Sequence, residues 1–349
     1  MRRTSRQNPE VREFLLRNME AHPTAAGALA AERFGLSRTA ISRYVKRLVD
    51  EGLVLATGQT KAKRLELKPL ADGANLVPVT PESSESDIWV KFVEPHLVDL
   101  QPNIDGICLY GFTEIFNNVI DHSTSHDALI SYRQTYTTVT LEVFDHGVGI
   151  FEKIQKDFAL PDPRTALLEL SKGKLTSDST RHSGEGIFFA SRMFDEFSIR
   201  SGNLSYRRKR KDDWGWLIET NDTTEYLQGT AIVMSIATNA DWTTQQVFEK
   251  FTADVHDDGA PLFVKTQVPL ALGKYGKEQL VSRSQAKRIL ARFDRFQEIF
   301  LDFEGVGTVG QAFADEIFRV FRNRHPEIKI VAMNTTAEID GTIRHVTEA

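Results

Sequence analysis

The chain of 349 residues has few of the features that mark disulfide-bonded, secreted or membrane-spanning proteins. Its single cysteine, Cys108, excludes an intrachain disulfide framework and favours a reducing cytoplasm. No apolar run approaches the roughly 20 residues that a helix needs to cross a bilayer. The N-terminal MRRTSRQNPE is basic but has no apolar core behind it, so it is not predicted to be a signal peptide. The sequence therefore predicts a cytoplasmic protein without a membrane partner.

Charge is unevenly distributed along the chain, whose formal net charge is -5. Residues 1–70 contain 14 Lys and Arg against 7 Asp and Glu, a net charge of +7. The remainder has 29 against 41, a net charge of -12. The length predicts two or three domains, and a basic head before an acidic body predicts that the head contacts a polyanion.

Residues 1–70 carry three helical patterns followed by a short hairpin. Apolar residues recur at helical spacing over Val11–Glu20, Thr24 can cap a second helix that ends at Gly35, and Ser37 can cap a third. The exposed positions of the third helix and the hairpin tip supply basic and hydroxyl groups for bases and phosphates. The predicted DNA-binding residues are Arg38, Thr39, Ser42, Arg43, Lys46, Lys61, Lys63 and Arg64.

Residues 25–54 resemble the winged helix-turn-helix of bacterial repressors, which implies double-stranded DNA as the partner. A second interpretation stays open, because some winged helices bind proteins instead of DNA. The basic residues fall on the third helix and the wing together, which favours DNA.

Two pieces of the middle segment pair polar side chains with regular structure. Glu114 and Asn118 are four residues apart in a helical pattern, so they share one face and can address one ligand. Asn offers a neutral oxygen to Mg²⁺, and Glu can orient or deprotonate a water molecule. A strand pattern then ends at Asp145, which Gly147 and Gly149 follow. A carboxylate there can accept a hydrogen bond from an adenine amino group while the backbone approaches closely.

A third piece, SGEGIFFASRMF, begins a helix at Gly184 and Gly186, whose N–H groups can meet phosphate oxygens. The segment before it, about 151–183, ends in a polar string that suits a mobile lid over a nucleotide. Candidate phosphate contacts in that string are Lys172, Lys174, Arg181 and His182. Arg207–Lys211 is predicted to be a solvated hairpin tip, with a second nucleic-acid contact as the alternative.

These pieces in this order resemble the GHKL ATPase superfamily over about residues 90–237, closest to its anti-sigma and histidine-kinase branch. Glu114 and Asn118 match its N box, Gly184 and Gly186 its second glycine box. Thr230 matches its last conserved turn. The first glycine box matches at Asp145, Gly147 and Gly149. The resemblance implies a Bergerat α/β sandwich with helices on one face of a mixed sheet, and it implies ATP and Mg²⁺ as cofactors. No helical hairpin with a phosphoacceptor His precedes the N box, which argues against histidine autokinase activity.

Residues 280–349 alternate strands and helices and resemble STAS-like domains, chiefly in LDFEGVGTVGQAFADEIF. The resemblance implies a protein partner. In the phospho-regulated members a serine lies near the start of the helix, where this chain has Gly310, Gln311 and Ala312. We therefore expect a docking platform and not a phosphorylation substrate.

The sequence as a whole predicts a multidomain protein. Its expected parts are a winged-helix head at 1–70, a linker at 71–89, an ATP-binding domain at 90–240 and a STAS-like domain at 241–349. The expected function is an ATP-binding and ATP-hydrolysing DNA-binding regulator, in which lid closure controls docking of the outer domains. An anti-sigma-type serine/threonine kinase and a DNA-stimulated ATPase of defence or DNA processing remain alternatives, and a homodimer stays open.

Overall fold

The computed structural model describes residues 8–20, 22–58, 64–175, 184–210, 215–219, 226–253, 262–274 and 278–348. We divide them into a head (residues 8–67), a middle part (71–251) and a C-terminal part (252–348). The buried apolar side chains form one cluster in the head and a second cluster that runs through the other two parts. Within the described residues, no helix combines the length and the apolar character that spanning a membrane requires.

The head consists of three helices and a hairpin, as the sequence predicts. Its elements are α1 (Pro9–Met19), α2 (Ala26–Phe34), α3 (Arg38–Asp50), β1 (Val54–Thr57) and β2 (Arg64–Leu67), with β1 and β2 antiparallel. Ser37 caps α3 by accepting a hydrogen bond from the backbone N–H of Ala40 at 3.2 Å. Gly35 ends α2 in the left-handed region at φ 61°. The predicted cap at Thr24 is wrong, because the helix begins one residue later and its N-cap, Ala25, makes no side-chain hydrogen bond.

The middle part is built on a seven-stranded sheet in the order β3-β4-β5-β9-β6-β7-β8. The strands are β3 (Ala71–Pro78), β4 (Asp127–Gln134), β5 (Thr138–Asp145), β6 (Glu196–Gly202), β7 (Leu204–Lys209), β8 (Gly215–Glu219) and β9 (Leu227–Ala237). Every pairing in this sheet is antiparallel, whereas the family resemblance implied a mixed sheet.

One face of this sheet is covered by helices. They are α4 (Glu85–Phe92), α5 (Pro102–Asn118), α6 (Ile150–Asp157), α7 (Pro163–Lys172), α8 (Gly186–Met193) and α9 (Thr244–Phe251), with a 3-10 turn at Glu94–His96. Alternate residues of β5, namely Val139, Leu141 and Val143, are buried, which confirms the predicted half-buried strand.

The predicted linker at 71–89 is wrong. Residues 71–78 pair along their whole length with β4, and α4 begins at Glu85. An edge strand has only one neighbour and buries little side-chain surface, so its sequence need not alternate. Leu76 of β3 is accordingly 63% exposed, while Val77 is buried. A Cβ on Gly73 would overlap the Tyr132 ring, which explains a glycine inside a strand.

The C-terminal part contains the small α/β layer that the sequence predicts, and its three-stranded sheet is parallel. Its sheet has the order β12 (Lys265–Pro269), β13 (Glu298–Asp302) and β14 (Lys329–Met333), and the short pair β10 (Thr252–Ala253) and β11 (Leu262–Phe263) precedes it. The helices are α10 (Arg283–Leu290), α11 (Gln311–Asp315), which continues through a π turn at Glu316–Phe321 into α12 (Arg322–Arg324), and α13 (Ala337–Glu348). Short 3-10 turns occupy Leu270–Gly273 and Phe293–Arg295.

The basic run at 207–211 is not a hairpin tip. Arg207–Lys209 belong to β7, and the alternation of the strand turns Arg208 inward, where its Nη1 donates to the Ser191 carbonyl at 2.9 Å. The Arg210 guanidinium lies 3.8 Å from the centre of the Trp242 ring. Internal contacts therefore engage cations that the sequence predicts to be solvated. Lys211 lies outside the described residues.

The head docks on the turn between β4 and β5 through one face of α1 and the residue after it. Glu20 accepts hydrogen bonds from the hydroxyl groups of Thr135, Thr137 and Thr138 at 3.0–3.2 Å. The Tyr136 hydroxyl donates to Glu13 at 3.2 Å. Next to this turn, Arg17 donates to the Asn239 side chain at 2.7 Å. Most of these contacts are polar, and the Tyr136 ring also packs against the head core.

Candidate functional site

A cavity of about 310 Å³ opens between α5, the C-terminal end of β5 and the N-terminal half of β9. Its remaining walls come from α6, the end of α7 and the start of α8. Of the nucleotide-site residues that the sequence predicts, the cavity is lined by Glu114, Asn118, Asp145, Gly149, Gly184, Gly186 and Thr230. Gly147 lines the groove that adjoins this cavity. Four separate sequence motifs therefore converge on one place.

Glu114 and Asn118 lie on the last turn of α5 and both face the cavity. The Asn118 Nδ2 donates to the Glu114 carbonyl at 2.6 Å, so the amide nitrogen is tied to the helix and the amide oxygen points away from that bond. An amide oxygen fixed in this way is a suitable ligand for a hard cation.

The sequence pattern predicts a helix that reaches His122. The α-helix instead ends at Asn118, because a π turn follows over Val119–Ser123. The turn brings the Ser123 carbonyl to the glycine-rich loop, where it accepts the Val148 N–H at 2.9 Å. A Cβ on Gly147 would overlap that same carbonyl oxygen, so the loop needs glycine there. Such π turns are frequent at functional sites.

Asp145 ends β5 with its carboxylate 4% exposed. Burial raises the pKa of Asp145, and hydrogen bonds from the backbone of Gly147 and Thr230, with the nearby His146, partly offset that rise. The Gly147 N–H donates to Oδ1 at 2.8 Å, and the Thr230 hydroxyl accepts the Ile150 N–H at 3.0 Å. The carboxylate is thus held in place by the loop that follows it.

The second glycine box lies against the N box. Gly184 has φ 70°, and its carbonyl accepts the Leu175 N–H at 3.2 Å. Gly186 begins α8, and a Cβ there would overlap the Glu114 carboxylate. Glycine is required because the first turn of α8 and the carboxylate of α5 occupy adjoining space.

Sequence reasoning missed residues that line the cavity, and it missed Tyr110 beside it. The Tyr110 hydroxyl, one turn before Glu114, hydrogen-bonds that carboxylate, and burial with the charges of Glu114 and Glu185 raises the pKa of Tyr110 far above its usual range. Lys153 and Asp157 of α6 line the cavity as an ion pair at 2.5 Å. Helical spacing was the available signal for Tyr110, because it lies four residues before a predicted catalytic group.

The predicted phosphate contacts Lys172 and Lys174 are turned toward the C-terminal part. Lys172 is 1% exposed and donates to Glu169 at 2.6 Å and to the Ala291 carbonyl at 2.9 Å. Lys174 Nζ donates to the Arg295 carbonyl at 3.0 Å. The physical reason is tertiary packing, which a local pattern does not contain. Arg181 and His182, with the rest of 176–183, lie outside the described residues.

The residues that line the cavity fit a nucleotide with Mg²⁺. The glycines allow backbone approaches that any side chain would block, at Gly147, at Gly186, and at Gly229, where a Cβ would overlap the Asp145 carbonyl. The described residues contain no group of three or more His, Cys, Asp or Glu side chains that could hold a metal ion. Mg²⁺ bound through one amide oxygen, phosphate oxygens and water needs no such group.

The predicted DNA-binding residues of α3 form one exposed face. Arg38, Thr39, Ser42, Arg43 and Lys46 are all exposed, while Ile41, Val45 and Leu48 turn into the head core. The contacts that dock the head on the sheet come from α1 and Glu20, so docking leaves this face open. Arg64 is exposed at the start of β2, and Lys61 and Lys63 lie outside the described residues.

Comparison with protein families gives three matches. Residues 15–54 match winged helix-turn-helix DNA-binding, residues 102–206 match the histidine kinase-like ATPase domain, and residues 285–340 match a STAS-like domain of unknown function. A search of curated proteins finds no match. These matches confirm the predicted multidomain architecture. An ATPase domain of this kind implies nucleotide binding, and the two outer matches suggest DNA binding and protein interaction.

Proposed function

We propose that this chain, with its winged helix-turn-helix, histidine kinase-like ATPase and STAS-like domains, is a DNA-binding regulator controlled by Mg-ATP. The observation that supports it most is the convergence of Glu114, Asn118, Asp145 and the two glycine boxes on one cavity. The proposal assigns the domain boundaries at 1–70, 90–240 and 241–349, with β3 of the former linker added to the middle sheet.

Asp145 accepts the adenine amino group in this proposal, and Thr230 supports the same edge of the base. Both line the cavity, and the buried carboxylate is an acceptor fixed before the ligand arrives. At the other end, the N–H groups of Gly184 and Gly186 at the start of α8 face the phosphates, where the helix dipole favours negative charge.

Asn118 holds Mg²⁺ through its amide oxygen. A Mg²⁺ ion held there would supply positive charge that offsets the negative charge of the phosphates. Glu114 orients the attacking water molecule and takes its proton at a carboxylate oxygen. Tyr110 and the first turn of α8 hold that carboxylate from two sides. Hydrolysis is therefore assigned to Glu114 and nucleotide binding to the other residues of the cavity.

The nucleotide controls the outer domains because the cavity lies between their docking surfaces. The strand β5 begins at the turn that contacts the head and ends at Asp145. The end of α7 lines the cavity at Leu170 and contacts the C-terminal part at Lys172. A ligand shifts such an equilibrium only by binding one docked arrangement more tightly than another. We assign that difference to closure of the segment between the glycine boxes, the predicted lid.

The experiment that tests this function is DNA affinity of the full chain with and without Mg-ATP at two salt concentrations. We expect salt-sensitive binding that changes at least about fivefold when Mg-ATP is present. No DNA binding under either condition would contradict the proposal. A phosphorylated protein partner with labelled ATP would then support the kinase alternative, and DNA-stimulated turnover without ATP-dependent affinity would support the DNA-processing alternative.

The DNA surface is tested by Arg43→Ala. Removal of one cation from the exposed face of α3 is expected to weaken DNA binding about tenfold and to lower the salt dependence by about one phosphate contact. Arg322→Ala removes the same charge from an exposed position of the C-terminal part and serves as the control. Equal DNA affinities of the two variants would contradict this assignment and would indicate that the head binds a protein.

A further inference from the structure

A short segment of the C-terminal part contacts the end of α7 next to the nucleotide cavity. We call residues 291–296 the latch. The Ala291 carbonyl accepts a hydrogen bond from Lys172 Nζ at 2.9 Å, and Arg292 reaches the Glu169 carboxylate at 3.4 Å. Glu169 also pairs with Lys172 at 2.6 Å, and both of their side chains are almost fully buried. This charged network joins the end of α7 to the latch in a setting where losing one partner is costly.

Lys174 is held by the same segment. Its Nζ donates to the Arg295 carbonyl at 3.0 Å, and Arg295 Nη1 donates back to the Lys174 carbonyl at 2.8 Å. The ammonium group also lies 5.0 Å from the centre of the Phe296 ring. The backbone of Lys174 is left-handed at φ 55° and that of Arg292 at φ 62°, a conformation that costs energy for residues with a side chain. Both sides of this contact therefore hold backbone strain.

The held ammonium is close to the part of the cavity that would receive phosphates. Leu175, the next residue, lines the cavity and donates its N–H to the carbonyl of Gly184. The Glu185 carboxylate, between the two glycines of the second box, interacts with the Lys174 charge. Lysine is a common phosphate ligand because its ammonium acts as a point charge on a long side chain, and here the latch occupies the ammonium of Lys174.

We propose that the latch is an autoinhibitory contact that keeps Lys174 away from the nucleotide, and that its release lets Lys174 Nζ bind the phosphates. This inference rests on the proposed ATP site and adds its regulation by the C-terminal part. Release breaks the reciprocal bonds between Lys174 and Arg295 and frees the Lys174 backbone from its left-handed conformation, while Phe293 and Phe296 stay buried in the core and the ammonium gains a phosphate partner. A protein that binds the STAS-like domain and displaces the latch would thereby raise the affinity for Mg-ATP.

The test measures the Kd for Mg-ATP of full-length variants. Arg295→Ala keeps the Arg295 carbonyl but removes the guanidinium that fixes the Lys174 carbonyl, so the left-handed Lys174 backbone can relax and carry Nζ away from the latch. Arg292→Gly removes the contact with Glu169 and suits φ 62°, so it is a second variant if the first one loses stability. We expect either variant to bind Mg-ATP about fivefold more tightly than the wild type. Lys287→Ala, an exposed cation on α10 of the same part, is the control and is expected to match the wild type.

A double-variant comparison assigns the gain to Lys174. Lys174→Ala alone is expected to leave the wild-type Kd nearly unchanged, because the latch already occupies the ammonium. The same change added to Arg295→Ala or Arg292→Gly is expected to remove the fivefold gain. An unchanged or weaker Kd in the latch variants, or a gain that survives without Lys174, would overturn the latch. A wild type that binds no Mg-ATP would instead contradict the proposed function.

Discussion

The buried Asp145 carboxylate is an acceptor for the ligand, and its burial lowers the stability of the protein without ligand. Burial raises the pKa of Asp145, so the ionised form is less favourable in the folded protein than in the unfolded chain. Between the usual and the raised pKa the unfolded state binds fewer protons, and stability therefore falls as pH rises through that window. Above the raised pKa the full cost is present.

Asp145→Asn removes this cost together with the acceptor for adenine. We expect ATP affinity to fall about 100-fold, because an amide N–H₂ would face the adenine amino group, while the protein without ligand melts at a higher temperature. Isothermal titration and thermal unfolding at neutral pH measure the two effects. Asp127→Asn, a half-exposed carboxylate at the start of β4, is the matched control. Unchanged ATP affinity in Asp145→Asn would refute the site assignment.

Glu114→Gln separates hydrolysis from binding. The amide keeps the volume of the side chain but cannot take a proton, so ATP turnover is expected to fall about 100-fold or more with little change in Kd. Steady-state ATPase rates and nucleotide titration give the two numbers. Glu142→Gln on the exposed positions of β5 is the control. Turnover that survives in Glu114→Gln would assign the general base to another residue.

Single residues of the site could be predicted because their motifs need no tertiary information. Glu114 and Asn118 share a helix face by spacing alone, and Asp145 ends a strand that alternates clearly. The contact between Gly147 and Ser123 could not be predicted, since it depends on a π turn. Nor could the burial of Lys172, because its partners at Glu169 and Ala291 come together only when the C-terminal part packs on α7.

At the scale of elements, the sequence predicts helices and strands that bury a full face and misses those that do not. The helix α5 and the strand β5 carry regular apolar positions, whereas β3 lies at a sheet edge and was assigned to a linker. The end of β7 is wrongly predicted to be a hairpin tip for a different reason. Its arginines alternate between solvent and interior, and a buried arginine such as Arg208 does not look apolar in a sequence.

The start of α8 approaches α5 closely, because Gly186 leaves room for the Glu114 side chain. Gly186→Ala would place a methyl group on the Glu114 carboxylate and displace that carboxylate from its position in the cavity. We expect ATP turnover and Mg-ATP affinity to fall at least tenfold, while the fold persists. The assays are ATPase rate, nucleotide titration and circular dichroism.

Gly106→Ala is the matched control for that change. Gly106 lies inside α5, and a Cβ there meets no atom within 4 Å. The substitution is expected to stabilise the protein by up to about 1 kcal/mol, because alanine favours a helix interior over glycine. Full activity in Gly186→Ala would mean that α8 and the N box do not need this close approach.

At the scale of the molecule, the two outer parts contact the middle part in physically different ways. The C-terminal part shares a continuous apolar core with it, in which Phe188 and Phe189 of α8 pack on Phe251 and Phe263. The head has its own core and docks mainly through hydrogen bonds and charges, with the Tyr136 ring as the apolar contact. A polar interface exchanges its hydrogen bonds with water at a small net cost, so the head is the part that can move most easily.

Glu20→Ala tests that difference. Glu20 accepts hydrogen bonds from Thr135, Thr137 and Thr138, and its loss would remove the hydrogen bonds that join the end of α1 to this turn. We expect DNA affinity without nucleotide to stay within about twofold of the wild type, because the exposed face of α3 is intact. The dependence of DNA affinity on Mg-ATP is expected to disappear, because the contact that couples the head to the middle sheet is lost.

Glu32→Ala removes an exposed carboxylate from α2 and controls for the change in net charge of the head. DNA titrations of both variants, each with and without Mg-ATP, give the comparison, and nucleotide titration should show the same Kd for ATP in both. If Glu20→Ala keeps the full ATP dependence, the nucleotide signal does not pass through α1. The path from the cavity would then have to run through the C-terminal part, whose apolar contact with α7 and α8 is the other connection.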